Sequence, residues 1–153
     1  MKGGIEQTKQ CLDAVANLHV AGWENVPLLQ AAKEQFTKTS FHLETRDPAE
    51  LEGIEAAWEH FANEFRDNLG GLRGADLGKR VARCARYISE QLSPSLHDKY
   101  ATVSHGDYKA MNVFLPTDPN HPALIVDYAG TGLGFGVSDG AMHIHHAVLP
   151  EHL

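Results

Sequence analysis

Basic residues are scarce in this chain, cysteines scarcer, and long apolar runs are missing. Thirteen lysines and arginines face twenty aspartates and glutamates, a formal charge of −7. Binding along a phosphate backbone is driven by the opposite balance, so nucleic acid is excluded as an expected partner. Cys11 and Cys84 are far apart and outside any CxxC pattern. That removes a disulfide framework and a cysteine zinc site, and it points to a reducing compartment. No stretch is apolar for long enough to cross a bilayer, and the opening MKGGIEQTKQ lacks the apolar core of a signal peptide. The expectation is a cytoplasmic chain with no membrane partner. At 153 residues, 42% of them hydrophobic, it has the size and composition of one compact domain.

The first hundred residues read as mainly helical. In IEQTKQCLDAVANLHV, Leu12, Val15, Leu18 and His19 recur at helical spacing, and Gly22 is a plausible stop. PLLQAAKEQFTKTSF, from Pro27, carries good helix formers at its centre. Asp47 is placed to cap a helix that Pro48 opens, and Leu51, Ile54, Trp58, Phe61, Phe65 and Leu69 form its apolar stripe up to Gly70. Trp58, Phe61 and Phe65 are expected as core packing. A further helix is expected over residues 76–92, with Leu77, Val81, Cys84, Ile88 and Leu92 on one face and Pro94 beyond its end.

The character changes after residue 100. ATV, NVFL and ALIV are short and rich in β-formers, and the PTDPNHP between the last two is a turn cluster, so a β-hairpin is expected. HGDYKAMN enters its first strand and Asp127 leaves its second, which brings both to one end of the hairpin. Phosphoryl transfer wants such a set: a carboxylate to orient a hydroxyl and take its proton, and hard oxygen ligands for magnesium. An aspartate, an asparagine five positions on and a later aspartate match the kinase spacing, with Asp107 as base and Asn112 and Asp127 as magnesium ligands. Lys109 is placed to steady the transferred phosphate. Each residue alone would read as a cap, a turn or a solvated lysine; as a set they point to a kinase-derived site.

HGDYKAMNVF followed by LIVDYAGTGLGFGVSD resembles the catalytic motif and metal loop of the aminoglycoside phosphotransferase and choline kinase-like families, including the ecdysteroid kinase-like group. NLHVAGW is similar to a helix segment found early in their C-terminal lobe. The resemblance implies Asp107 as catalytic base, Asn112 and Asp127 as magnesium ligands, and His105 and Gly106 as shapers of the catalytic loop. It implies Asp139 as the residue bracing that loop through backbone hydrogen bonds. ATP and Mg2+ are the implied cofactors, and a small-molecule hydroxyl the implied acceptor.

The expected fold is thus α+β: a protein kinase-like C-terminal lobe, mainly helical, with a small β-hairpin carrying the catalytic and metal loops. Residues 1–100 form its helical part, 101–139 the catalytic loop, hairpin and metal loop, and 140–153 a truncated C-terminal helix. No glycine-rich strand turn with its lysine precedes His105, because GGLRG at 70–74 follows a helix and GTGLGFG comes after Asp127. The nucleotide-binding N-terminal lobe is therefore expected to be absent, leaving a face that a partner chain would cover. An inactive pseudokinase serving as an interaction module is the alternative. A third reading, a metal site in MHIHHAVLPEH using His143, His145, His146 and His152, has the spacing of one helical turn but lacks HExxH and a cysteine pair.

Overall fold

The computed structural model describes residues 4–36, 42–43, 47–71, 76–118 and 120–149. Its order is α1 (Ile5–Gly22), α2 (Val26–Gln35), α3 (Pro48–Glu52), α4 (Ile54–Glu64), α5 (Leu77–Gln91), β1 (Ala101–Ser104), β2 (Val113–Phe114), β3 (Leu124–Ile125), β4 (Gly132–Phe135) and α6 (Gly136–Ala147). This is α+β, mainly helical with two small antiparallel sheets. The chain divides into two compact units, one of Met1–Phe41 with Leu92–Leu153, the other of His42–Gln91. Among the described residues no helix is long and apolar enough to cross a membrane.

In the first unit β1 and β4 pair from Ala101 opposite Phe135 to Ser104 opposite Gly132. All four residues of β1 are buried, with α1, α2 and α6 packed around this ladder. Leu29 and Ala32 of α2 meet Ala101 and Val103 of β1, with Leu96 and Leu133 at the margin. Local chemistry starts the helices where they begin: Gln7 Oε1 accepts from the Gly4 N–H at 3.1 Å. Asn25 Oδ1 accepts from the Leu28 N–H, capping α2 ahead of Pro27.

The end of α1 is fixed by a close approach to β1. Thr102 Oγ1 donates to the His19 carbonyl at 2.6 Å. A Cβ at Gly22 would lie 2.6 Å from Val103 N and 2.7 Å from Thr102 Oγ1. Gly22→Ala is therefore expected to destabilise the protein by about 1–3 kcal/mol through overpacking against backbone. Urea denaturation will read this, and a variant as stable as the parent would show that β1 gives way freely.

In the second unit, Asp47 caps α3 by accepting from the Ala49 N–H at 2.9 Å, and Pro48 opens it as expected. The expected continuous helix is interrupted at Gly53 into α3 and α4. α5 follows its expected range and meets α4 where Gly78 sits, its Cβ position 2.9 Å from Trp58 Cβ. The stripes expected to be core are largely open: Phe61 is 45%, Phe65 46%, Val81 39% and Ile88 49% exposed, and Cys84 is exposed. Phe61 stacks between Trp58 and Phe65 without being covered. Three helices within about fifty residues offer too little mass to bury every apolar face.

One strand pairing adds to the sequence reading. The expected hairpin is present as β2 and β3, with Val113 opposite Ile125 and Phe114 opposite Leu124. It is nested inside the unexpected β1–β4 ladder, whose second strand is the glycine-rich GLGF. The last helix, α6, runs from Gly136 to Ala147.

Candidate active site

β1 delivers the chain into the loop that begins at His105. Gly106 turns it with φ +80, and a Cβ there would fall 2.0 Å from the Gly130 carbonyl oxygen. Only glycine fits, for conformation and for space.

Asp139, in the first turn of α6 and fully buried, holds this turn. Its Oδ2 accepts from the His105 N–H at 2.7 Å and its Oδ1 from the Gly106 N–H at 2.8 Å. His19 of α1 donates from Nε2 to the same Oδ2 at 2.8 Å. The His19 ring lies against Gly136, where a Cβ would sit 2.6 Å from Nδ1. A buried carboxylate is tolerable only when its oxygens are bonded; here one aspartate ties α1, α6 and the loop together.

His105 is also buried. Its Nδ1 accepts from the Asp107 N–H at 3.3 Å, so the proton resides on Nε2, which donates to the Val126 carbonyl at 3.0 Å. That bond links the loop to the residue before Asp127. Thr131 Oγ1 donates to the His105 carbonyl, and the imidazole lies between the rings of Tyr108 and Tyr128. Tyr108 is fully buried, donates its hydroxyl to the Cys11 carbonyl at 2.5 Å, and has its phenol pushed far above the usual range by burial.

With Tyr108 anchored inward, Asp107 and Lys109 on either side stay about one-third exposed. Lys109 Nζ is 2.7 Å from Asp107 Oδ2. Asn112, at the end of the 3-10 turn Ala110–Asn112, donates through Nδ2 to the Asp107 carbonyl at 2.8 Å and to its Oδ2 at 3.1 Å. Asp107 Oδ1 and Asn112 Oδ1 have no hydrogen bond among the described residues. Across the hairpin, the Val126 N–H donates to the Asn112 carbonyl at 3.0 Å. Asp127 follows in the left-handed region, φ 64 and ψ 66, a conformation uncommon outside glycine that concentrates at functional sites. Its carboxylate is exposed and has no protein partner among the described residues.

The donor set fits magnesium. Asn112 Oδ1 and the Asp127 carboxylate are hard oxygens on segments held side by side by backbone pairing, and both are free of protein bonds. Among the described residues no group of three or more His, Cys, Asp or Glu side chains, whether carboxylates here or histidines on α6, is arranged to hold a metal. His143 is buried while His145 and His146 are exposed, and His152 lies outside the described residues.

The loop is braced and polar, and presents a carboxylate, a lysine and two further oxygen-bearing side chains. The chain belongs to the ecdysteroid kinase-like family, whose sequence model matches residues 3–134. No curated protein and no solved structure matches it.

The structure joins His105, Asp107, Lys109, Asn112 and Asp139 in one bonded network, whereas Asp127 is tied to it through neighbouring backbone. Sequence reasoning missed His19 and Tyr108 as members. For His19 the signal was the NLHVAGW segment, where the histidine stands one turn before the close-packed Gly22. His143 adds a pH dependence, because burial lowers its pKa below the ordinary 6.5. Unfolding then takes up a proton, so stability is fully present above pH 6.5 and is lost as pH falls through the folded value. Melting temperatures between pH 8 and 5.5 should fall, and His143→Phe should flatten part of that slope; equal slopes would remove His143 from the account.

Proposed function

We propose that this chain carries the catalytic and metal loops of a phosphotransferase that moves the terminal phosphate of ATP to a small-molecule hydroxyl. The observation that carries the reading is the bonded set Asp107, Asn112 and Lys109, on a loop whose backbone is fixed by Asp139. Asp107 Oδ1 is the acceptor atom left open on that loop, suited to orient a hydroxyl and take its proton as the bond to phosphorus forms. Asn112, by occupying Oδ2, fixes which oxygen faces the acceptor. Lys109 pairs with Asp107 in the free protein, and its ammonium is within reach of a transferred phosphate that competes for it. Asn112 and Asp127 are the residues that would hold magnesium, which when bound offsets the charge of the phosphates. Membership of the family supports the kinase-like chemistry. Because the family's description carries the word ecdysteroid, an ecdysteroid is the first acceptor to try.

The test is a calorimetric titration with a non-hydrolysable ATP analogue, with and without magnesium, in the parent and in Asp127→Ala. Magnesium should strengthen binding at least about tenfold in the parent, the low end of what disturbing even the partners of metal ligands costs, and the variant should lose that gain. Binding indifferent to magnesium in both proteins would overturn the assignment of Asn112 and Asp127.

A further inference from the structure

One part of the first unit is unused by the chemistry above. A cavity of about 430 Å3 opens between α1, the segment 110–115 and α6. Cys11, Met111, Val113, Phe114, Leu115 and Ala147 make most of its wall. Asp107, Lys109, Asn112, Asp127 and Asp139 do not line it. The size falls within the range of small-molecule sites, and so does the composition, an apolar wall with few polar groups.

The group that distinguishes it is His143. The side chain is 98% enclosed, being 2% exposed, and its Nδ1 is sealed with no hydrogen-bond partner. Among the described residues its Nε2 has no protein partner either, yet it is not among the sealed atoms. It therefore keeps some open area, and His143 lines this cavity. The tautomer follows from the same geometry. A proton on Nδ1 would bury a donor with no acceptor, whereas a proton on Nε2 leaves only a lone pair unused inside and aims the N–H at the cavity.

We propose that this cavity binds an uncharged, largely apolar small molecule that presents a carbonyl or ether oxygen to the His143 Nε2–H. Among the described residues the wall holds no lysine, arginine or carboxylate to pair with a charged ligand. Its two titratable groups are kept neutral by burial, which pushes the Cys11 thiol up and the His143 imidazole down. Tyr108, whose ring lies tilted against that of His143 at 5.1 Å between centroids, holds the imidazole in this orientation. The inference does not rest on the phosphotransfer reading, because none of the residues given a role in the transfer itself lines the cavity; Tyr108 serves both regions only as packing.

Benzophenone is a suitable probe: apolar, uncharged, with one carbonyl, and able to insert into neighbouring C–H bonds on illumination. Diphenylmethane has nearly the same shape without the oxygen. The full chain is titrated with each, as the parent and as His143→Phe, and the illuminated benzophenone adduct is mapped by peptide mass. Benzophenone should bind one per chain and label segments 7–11 or 110–115. It should bind about three- to tenfold more tightly than diphenylmethane, the range a single net hydrogen bond supplies. His143→Phe should bind the two alike. Phenylalanine keeps the ring against Tyr108, and retained diphenylmethane binding reports that the cavity is intact in the variant. Three results would each overturn the proposal: no saturable binding by the folded parent, adducts confined to other segments, or equal affinity of the parent for the two probes.

Discussion

Asp107→Asn will reduce phosphotransfer by about 10²- to 10⁴-fold, the range over which a positioned general base acts, while leaving the fold in place. The substitution is isosteric, and the side chain is one-third exposed. Asn112 Nδ2 and Lys109 Nζ both donate toward the Oδ2 position, so the new amide will turn its oxygen toward them and its NH2 toward the open side. The atom facing the acceptor then becomes a donor and cannot take a proton. Loss of the partly exposed pair with Lys109 costs about 0–1 kcal/mol, so urea midpoints should barely move. The measurement is ADP release with a hydroxylated acceptor, beside the denaturation curve. Turnover equal to the parent's would remove Asp107 from the role of base.

Asp139→Asn is expected to be the most damaging single-atom change to the site's architecture. The carboxylate accepts three hydrogen bonds, from the His105 and Gly106 amides and from His19. Asparagine has one oxygen, and its cheapest placement keeps the two bonds at the Oδ2 position and turns NH2 toward the Gly106 N–H. Two donors then face each other in a fully buried place, which with the lost charge costs about 2–4 kcal/mol. The loop that carries Asp107 loses its brace as well, so activity should fall with stability. Denaturation and phosphotransfer assays read both, and a variant with parental stability would mean that the bonds to Asp139 do not hold the turn.

The parts legible in the sequence were those whose cause is local. β2 and β3 announced themselves because β-formers flank a turn cluster, and α5 because its apolar residues recur at helical steps. β4 did not, since Gly132 and Gly134 lower strand propensity and the strand exists through its pairing with β1, about thirty residues earlier. Periodicity identified α4 and α5 as helices but overstated their burial, because a stripe shows which face is apolar and not whether anything covers it. At the site, Asp107, Lys109 and Asn112 lie within six residues and could be read as a set. His19 could not be joined to Asp139 from spacing, with 120 positions between them; chemical necessity, a buried carboxylate wanting a donor, becomes visible only once burial is known.

The nesting of β2–β3 within β1–β4 bears on how the site comes into being. Closing a loop costs entropy that grows with the logarithm of its length, and forming the inner pair first shortens the span from Ser104 to Gly132 that the outer ladder must close. Once closed, that ladder places the exit of β1 beside the entry to β4, and the bonds to Asp139 tie the loop after β1 to α6 as well. Opening the ladder releases every member of the loop together. The amides of His105 and Gly106, bonded to Asp139 rather than to a strand, should therefore exchange with deuterium at the rate of the β1 amides, as one cooperative group.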